Sequence, residues 1–321
     1  NFAATSRLDD ARPLDDKGHG THVSGIIAAK KDNRVGVAGV SDKIKILPIR
    51  VTGMVDETED REKLFYRAAS RRIAKGIFYA VHRGADVINL SLGWPKSMNT
   101  FYMTRALNVA INNGVLVVAA AGNNNTNANI FPCAVREVVC VGSVDVDGKV
   151  SRFSNYGGEV DILAPGDQIV STIPTKFIPL KLNINGYDIL SGTSQAAPFV
   201  SAAAALLKGL YPEMDNNEIQ RRLYDSARPR PDNFKSMHGL LQLEKAVTLD
   251  EAPSVKPVFK QMSETLFNPR NGDLRPTVLN LKNFGEKAES VKVSLESLTQ
   301  GLVILNKEND LGSLDKGRIS N

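Results

Sequence analysis

Cysteine is nearly absent from this chain: Cys133 and Cys140 are the only two in 321 residues. The pair can be read as one disulfide or as two buried thiols, and it says little about redox compartment. Cys140 lies inside the apolar run EVVCVGS, which favours burial. Long hydrophobic runs are missing too, so membrane insertion is not expected. Aromatic residues make up only 6%, and the basic residues behind the net charge of +5 do not cluster with them. That excludes a nucleic-acid surface as the first reading. The densest basic stretch, Arg67, Arg71 and Lys75, has the spacing of one solvated helix face. No internal repeat, low-complexity tract or N-terminal signal sequence is visible.

What is present is an ordinary globular balance, 42% apolar and 23% charged, in a chain long enough for one large domain and a smaller one. Short apolar runs alternate with helical patterns. IKILPIRV (44–51), ADVINLSLG (85–93), VLVVAAAGN (115–123), EVVCVGSV and VDILAPG read as strands. Residues 61–82, 98–112 and 216–227, and the run after Ser194, read as helices. Continuous apolar strands belong to parallel sheets covered on both faces. The expected fold is therefore α/β, a doubly wound, mostly parallel sheet with helices on both faces. Ligand sites in such sheets collect at the carboxyl ends of the strands. The polar tails NLSLG, AAAGNNN and LSGTS are expected to converge on one edge. DEAPSVKPVF then reads as a linker, and the period-two alternation that follows resembles an antiparallel sandwich. The expected division is 1–248, a linker at 249–258, and a partial immunoglobulin-like or fibronectin-like segment at 259–321.

Two stretches carry chemistry. In LSGTSQAAPFVSAAAALL, Ser194 stands at the mouth of an apolar, Ala-rich helix. A hydroxyl there is either a cap or a nucleophile whose developing anion the helix end stabilises. In DDKGHGTHVSGIIAA, His19 and His22 precede another apolar helix. No Cys or acid lies at a ligand spacing from them, and the Glu of H-E-x-x-H is missing, so no metal is expected in the chemistry. A general base for Ser194 is the sharper reading of His19, against a pair of structural histidines.

With GHGTHVSG, INLSLG, AAGN and SGTSQAAPFVSAAAALL in that order, residues 1–247 resemble the subtilisin-like serine proteases. The resemblance implies a serine endopeptidase. Ser194 would be the nucleophile that forms an acyl-enzyme, His19 the general base, and His22 structural. Asn123 would be the side-chain donor of the oxyanion hole, an amide that has no proton to lose. Ser91, Leu92 and Gly93 would face Ala120, Ala121 and Gly122 across the primary specificity pocket, and a bound peptide would add as a strand along Ser91–Gly93. The implied partners are protein or peptide substrates and an N-terminal prodomain, and the implied location is extracellular. No cofactor is needed for the chemistry. A structural calcium near Asn33, in KKDNRVGV, is the one metal the resemblance suggests.

The chain departs from the family at three places. Gln195 follows the nucleophile where Met is usual, Trp94 follows the specificity strand where a small residue is common, and no apolar strand ending in Asp precedes His19. Asp9, Asp10, Asp15 and Asp16 all sit in polar, loop-like sequence. The family's catalytic Asp is therefore expected outside this chain, and the chain by itself to be poorly active. The alternative is a catalytically inactive relative that still docks peptides. An α/β-hydrolase is disfavoured because GTSQA lacks the second Gly of the nucleophile elbow.

Overall fold

The structure is a computed structural model that describes residues 14–15, 17–51, 62–127, 130–175, 186–229, 236, 238–249, 255–258, 280–283, 287–294, 308–315 and 318. Helix α1 (His19–Ala28) opens the fold, followed by α2 (Glu62–His82) and strand β1 (Val87–Leu90). The chain continues through β2 (Trp94–Pro95), α3 (Phe101–Asn112), β3 (Leu116–Ala120), β4 (Ile130–Phe131), β5 (Val139–Val144) and β6 (Ile162–Pro165). An antiparallel pair, β7 (Ile169–Thr172) and β8 (Tyr187–Leu190), leads into α4 (Thr193–Leu210), with α5 (Asn216–Asp225) and α6 (Leu243–Thr248) after it.

The central sheet runs in the order β1-β3-β5-β6, with every pairing parallel. Every residue of β3 and β5 is buried, as strands covered on both faces require. The pleat sorts their side chains. Val117, Ala119 and Cys140 join a cluster with Ile73 and Ile77 of α2 and Leu107 of α3. Leu116, Val118, Ala120, Val139 and Val141 turn the other way, onto Ala196, Val200, Ala203 and Leu207 of α4. The alanines of α4 let its backbone lie close over the sheet. Arg71 and Lys75 stand on the exposed face of α2, as read, while the side chain of Arg67 is outside the described residues.

Four local readings change. Residues 44–51 form no strand, because no described strand pairs with them; Ile49 and Val51 pack against the core while Ile46 and Leu47 are each 38% exposed. Helix α3 starts at Phe101, where the Thr100 hydroxyl accepts from the Met103 amide, and residues 96–98 form a separate turn of 3₁₀ helix. Helix α5 stops at Asp225. Val255–Val258 (β9), within the stretch read as a linker, pairs antiparallel with Asn280–Asn283 (β10). A second antiparallel pair joins Ala288–Ser294 (β11) to Glu308–Leu314 (β12). Apart from residues 287, 315 and 318, the rest of 259–321 lies outside the described residues, as do Asp9, Asp10 and Asp16.

Cys133 and Cys140 form a disulfide, with both residues 1% exposed. It ties the loop after β4 to the centre of the sheet. Trp94 packs into the core at 6% exposure, tilted against Phe131 with ring centroids 5.6 Å apart.

Candidate active site

Ser194 is the second residue of α4 and half-buried. Its surroundings are cross-braced. Pro198, inside α4, has no amide hydrogen to give to the Ser194 carbonyl one turn back. Ser91 Oγ supplies the missing donor at 2.7 Å. Ser91 Oγ in turn accepts from Asn89 Nδ2 at 2.9 Å, and Ser201 Oγ donates to Asn89 Oδ1 at 2.8 Å. The end of β1 is thus bonded to α4 at two levels. The Ser194 hydroxyl rests on the Ser91 carbonyl at 3.2 Å.

Asn123 follows β3 and is held by Thr193, which is fully buried. Asn123 Oδ1 accepts from the Thr193 amide at 2.8 Å and from Thr193 Oγ1 at 2.9 Å. Thr193 Oγ1 also accepts from the Gly122 amide at 3.0 Å. With its oxygen committed to two donors, the exposed side chain presents Nδ2 as a free donor on the Gly192 side. Asn155 braces the same bend: its Nδ2 donates to Ala121 O at 2.8 Å, and its Oδ1 accepts from Asn124 N. Gly122 sits at φ 98, and a Cβ on it would come within 2.5 Å of Asn155 Nδ2, so only glycine serves there.

His19 begins α1. The first turn of that helix is fixed through His22, whose fully buried ring bonds Ile169 O at 3.1 Å and Asp188 O at 3.3 Å through Nε2. Both acceptors are carbonyls, so Nε2 carries the proton. Strand β8, which contains Asp188, runs through Ser191 and Gly192 directly into Ser194. Helices α1 and α4 also pack on each other. The two first turns therefore lie at the same edge of the molecule. The His19 side chain is exposed and makes no hydrogen bond among the described residues. Surrounding protein lowers its pKa below the ordinary imidazole value, while Asp15 pulls it upward.

Asp15 is a capping residue for α1. Its carboxylate accepts from the amides of Lys17, Gly18 and Thr21, and from Thr21 Oγ1. Burial raises its pKa, but these bonds outweigh burial and hold it below 3.8. It acts on His19 through charge, not by a hydrogen bond. No described carboxylate accepts one from His19.

Ser91–Gly93 and Ala120–Gly122 follow directly on the end of the β1–β3 pairing. Leu90 and Ala119 are the last partners in the β1–β3 ladder. Beyond them β3 stays with β5 through Ala120, and Ser91–Gly93 leaves without a strand partner among the described residues. Gln195 is 2% exposed beside Ser194, with Nε2 buried and without a hydrogen-bond partner among the described residues.

The loop with Asn33 does not fit a calcium ion. Asn33 Oδ1 is turned onto the Val35 amide at 3.0 Å, and Lys30, Lys31 and Arg34 oppose the one carboxylate of the loop, Asp32. No group of three His, Cys, Asp or Glu side chains able to hold a metal occurs among the described residues.

Thr193, Asn155 and the roles of Asn89 and Ser201 are not legible in the sequence, since each acts on a partner far along the chain. Only Pro198, four residues after Ser194, signals that a carbonyl there needs another donor.

The fold and this edge are those of a subtilisin-like serine protease domain. The chain belongs to the subtilase family, whose model matches residues 4–250. It is 40% identical over 219 residues to the thermophilic serine proteinase of Bacillus sp. (strain AK1), covering 68% of this chain and 49% of that protein. It is 40% identical over 217 residues to the major intracellular serine protease of Bacillus subtilis (strain 168), covering 66% of this chain and 60% of that protein. The chain thus spans 49% and 60% of the length of these two relatives. Fervidolysin from Fervidobacterium pennivorans, a keratinolytic enzyme related to subtilisin, has a similar structure: TM-score 0.63 and 30% identity, over 74% of this chain and 37% of that one.

Proposed function

We propose that the protein is a serine endopeptidase that cleaves peptide bonds through an acyl-enzyme on Ser194. The observation that carries this reading is the fixed orientation of Asn123, whose oxygen is held by Thr193 so that Nδ2 is left on the Gly192 side. Rotation about its χ1 frees the Ser194 hydroxyl from the Ser91 carbonyl. Oγ then attacks the scissile carbonyl carbon as its proton passes to neutral His19. The carbonyl electron pair moves onto oxygen, which accepts from Asn123 Nδ2 and the Ser194 amide. Collapse breaks the C–N bond, and His19 gives its proton to the leaving amine. Water repeats the sequence and releases Ser194. These steps use side chains and backbone alone.

Extracellular location is the second part of the proposal. It is supported by the Cys133–Cys140 disulfide, which suits an oxidising compartment. The relative named as intracellular weighs against it. No described helix is long and apolar enough to cross a membrane. An N-terminal prodomain is a proposed partner, supported by the neighbouring structure described as having its propeptide removed.

The test is hydrolysis of an unfolded protein substrate by the full-length protein and by Ser194→Ala. Turnover by the variant is expected to fall by roughly 10⁶, the loss that follows removal of this serine in subtilisin. Equal turnover by both folded proteins would sink the reading.

A further inference from the structure

We infer that Asn155 is a positioning residue for the oxyanion donor: it fixes the backbone on both sides of Asn123 and so sets where Asn123 Nδ2 meets the developing charge. The inference rests on the proposed role of Asn123. Asn155 is 1% exposed, and its hydrogen bonds go to backbone groups that bracket Asn123. Ahead of Asn123, Asn155 Nδ2 donates to Ala121 O at 2.8 Å, and the Asn155 amide donates to Gly122 O at 2.9 Å. After it, Asn155 Oδ1 accepts from Asn124 N at 2.9 Å and from Thr126 N at 3.3 Å. The two ends of this carboxamide cannot exchange, because its upstream partner is a carbonyl and its downstream partners are N–H groups.

The hold is carried to the central sheet. Ser154 Oγ accepts from the Ser143 amide of β5 at 3.0 Å and donates to the Asn155 carbonyl at 2.9 Å. The chain on either side of Asn155 then runs along the Asn123 loop, with Asn125 N donating to Phe153 O at 2.9 Å and Tyr156 N to Thr126 O at 3.2 Å. The loop depends on this support. Residues 121–127 belong to no helix or strand, and Asn125, like Gly122, holds a left-handed backbone, at φ 50. Thr193 fixes which way the Asn123 amide turns, and Asn155 fixes where the backbone that carries it lies. A misplacement of about 1 Å at a reacting group is enough to cost about a hundredfold in rate. Were Asn155 only a brace for the loop, its loss would lower stability and act independently of Asn123.

The experiment is a double-mutant cycle on the full-length protein: the parent, Asn155→Ser, Asn123→Ala and the two together, with kcat and KM measured on one peptide substrate. Asn155→Ser alone should lower kcat by about 10–100-fold, with KM within about threefold of the parent's. In the Asn123→Ala background no side-chain donor is left to place, so the same substitution should lower kcat by less than about threefold further. Asn155→Asp keeps the acceptor for Asn124 and Thr126 and loses only the donor to Ala121 O. It should move kcat in the same direction, and either variant, once shown to be folded, decides the question. Affinity for a peptide boronic acid, whose tetrahedral adduct on the serine sets an oxygen where the oxyanion forms, should fall in step with kcat. A folded Asn155 variant with the parent's kcat overturns the inference, as do losses that multiply in the double variant. A parent that cleaves while the losses multiply overturns only the role of Asn155. A folded parent, its cleft free, that neither cleaves nor takes a fluorophosphonate label overturns the protease reading and this inference together.

Discussion

The two helices that bring Ser194 and His19 to one edge are held in opposite ways. Around Ser194, hydrogen bonds from Ser91, Asn89, Ser201, Thr193 and Asn123 join α4 to the ends of β1 and β3. Around His19, the backbone is anchored through His22 and Asp15, but the ring itself is exposed and makes no hydrogen bond among the described residues. An oxyanion site gains from rigidity, because dipoles already aimed at the developing charge need no reorganisation. A base must take a proton and give it away, and needs an orienting partner more than a rigid cage. In the proposed mechanism the nucleophile side therefore draws on this chain's own braced side chains, whereas His19 is fixed only in position.

The sharpest way to break the contrast is Asn123→Ala. It removes the side-chain donor proposed for the oxyanion, and kcat should fall by about 10²–10³ with KM little changed. Ser91→Ala comes next. It leaves the Ser194 carbonyl without a donor, since Pro198 cannot supply one, and strips Asn89 Nδ2 of its acceptor. Chemical denaturation should show a loss of about 1–3 kcal/mol, with reduced kcat. A stability equal to the parent's would mean that water replaces the hydroxyl.

Substitutions that tune the surroundings of His19 without removing its ring have smaller expected effects. His19 must be neutral to act, so activity rises with pH through its pKa. Asp15 raises that pKa, so Asp15→Asn should move the acid limb of kcat/KM to lower pH. The same carboxylate contributes to stability with the opposite sense. Its folded pKa is depressed, so the contribution is full above 3.8 and lost as pH falls through the lower folded value. A denaturation series across acid pH should show this pH dependence weaken in Asp15→Asn. Gln195→Met is the mildest change. Without oxidant it should leave turnover near the parent's, and in peroxide it should be inactivated faster because a thioether oxidises and an amide does not. Equal inactivation rates would refute that account.

Much of this was legible in the sequence because its causes are local. The unbroken apolar runs of β3 and β5 can only be strands covered on both faces, and Asn113-Gly114 ends α3 where a left-handed residue is needed. Ser194, His19 and Asn123 stood out because polar groups interrupt apolar runs at element ends. What escaped depends on distant partners. Residues 44–51 look like a strand, but a strand exists only with a neighbour to bond. Asn155 lies in the unremarkable SRFSNYG and acts 34 residues away. Ile130 follows the polar NNNTNAN, and nothing in the chain order says that β4 will pair with β2 beside Gly93.

The most direct test of the central claim is the rate of fluorophosphonate labelling of the full-length protein with its cleft free of any propeptide. Mass spectrometry would locate the adduct in the parent and in His19→Ala. The account predicts an adduct on Ser194 in the parent, and a labelling rate lower by at least about 10³ in a folded His19→Ala. An unlabelled, folded parent, or equal labelling in both, would contradict the claim that His19 activates Ser194.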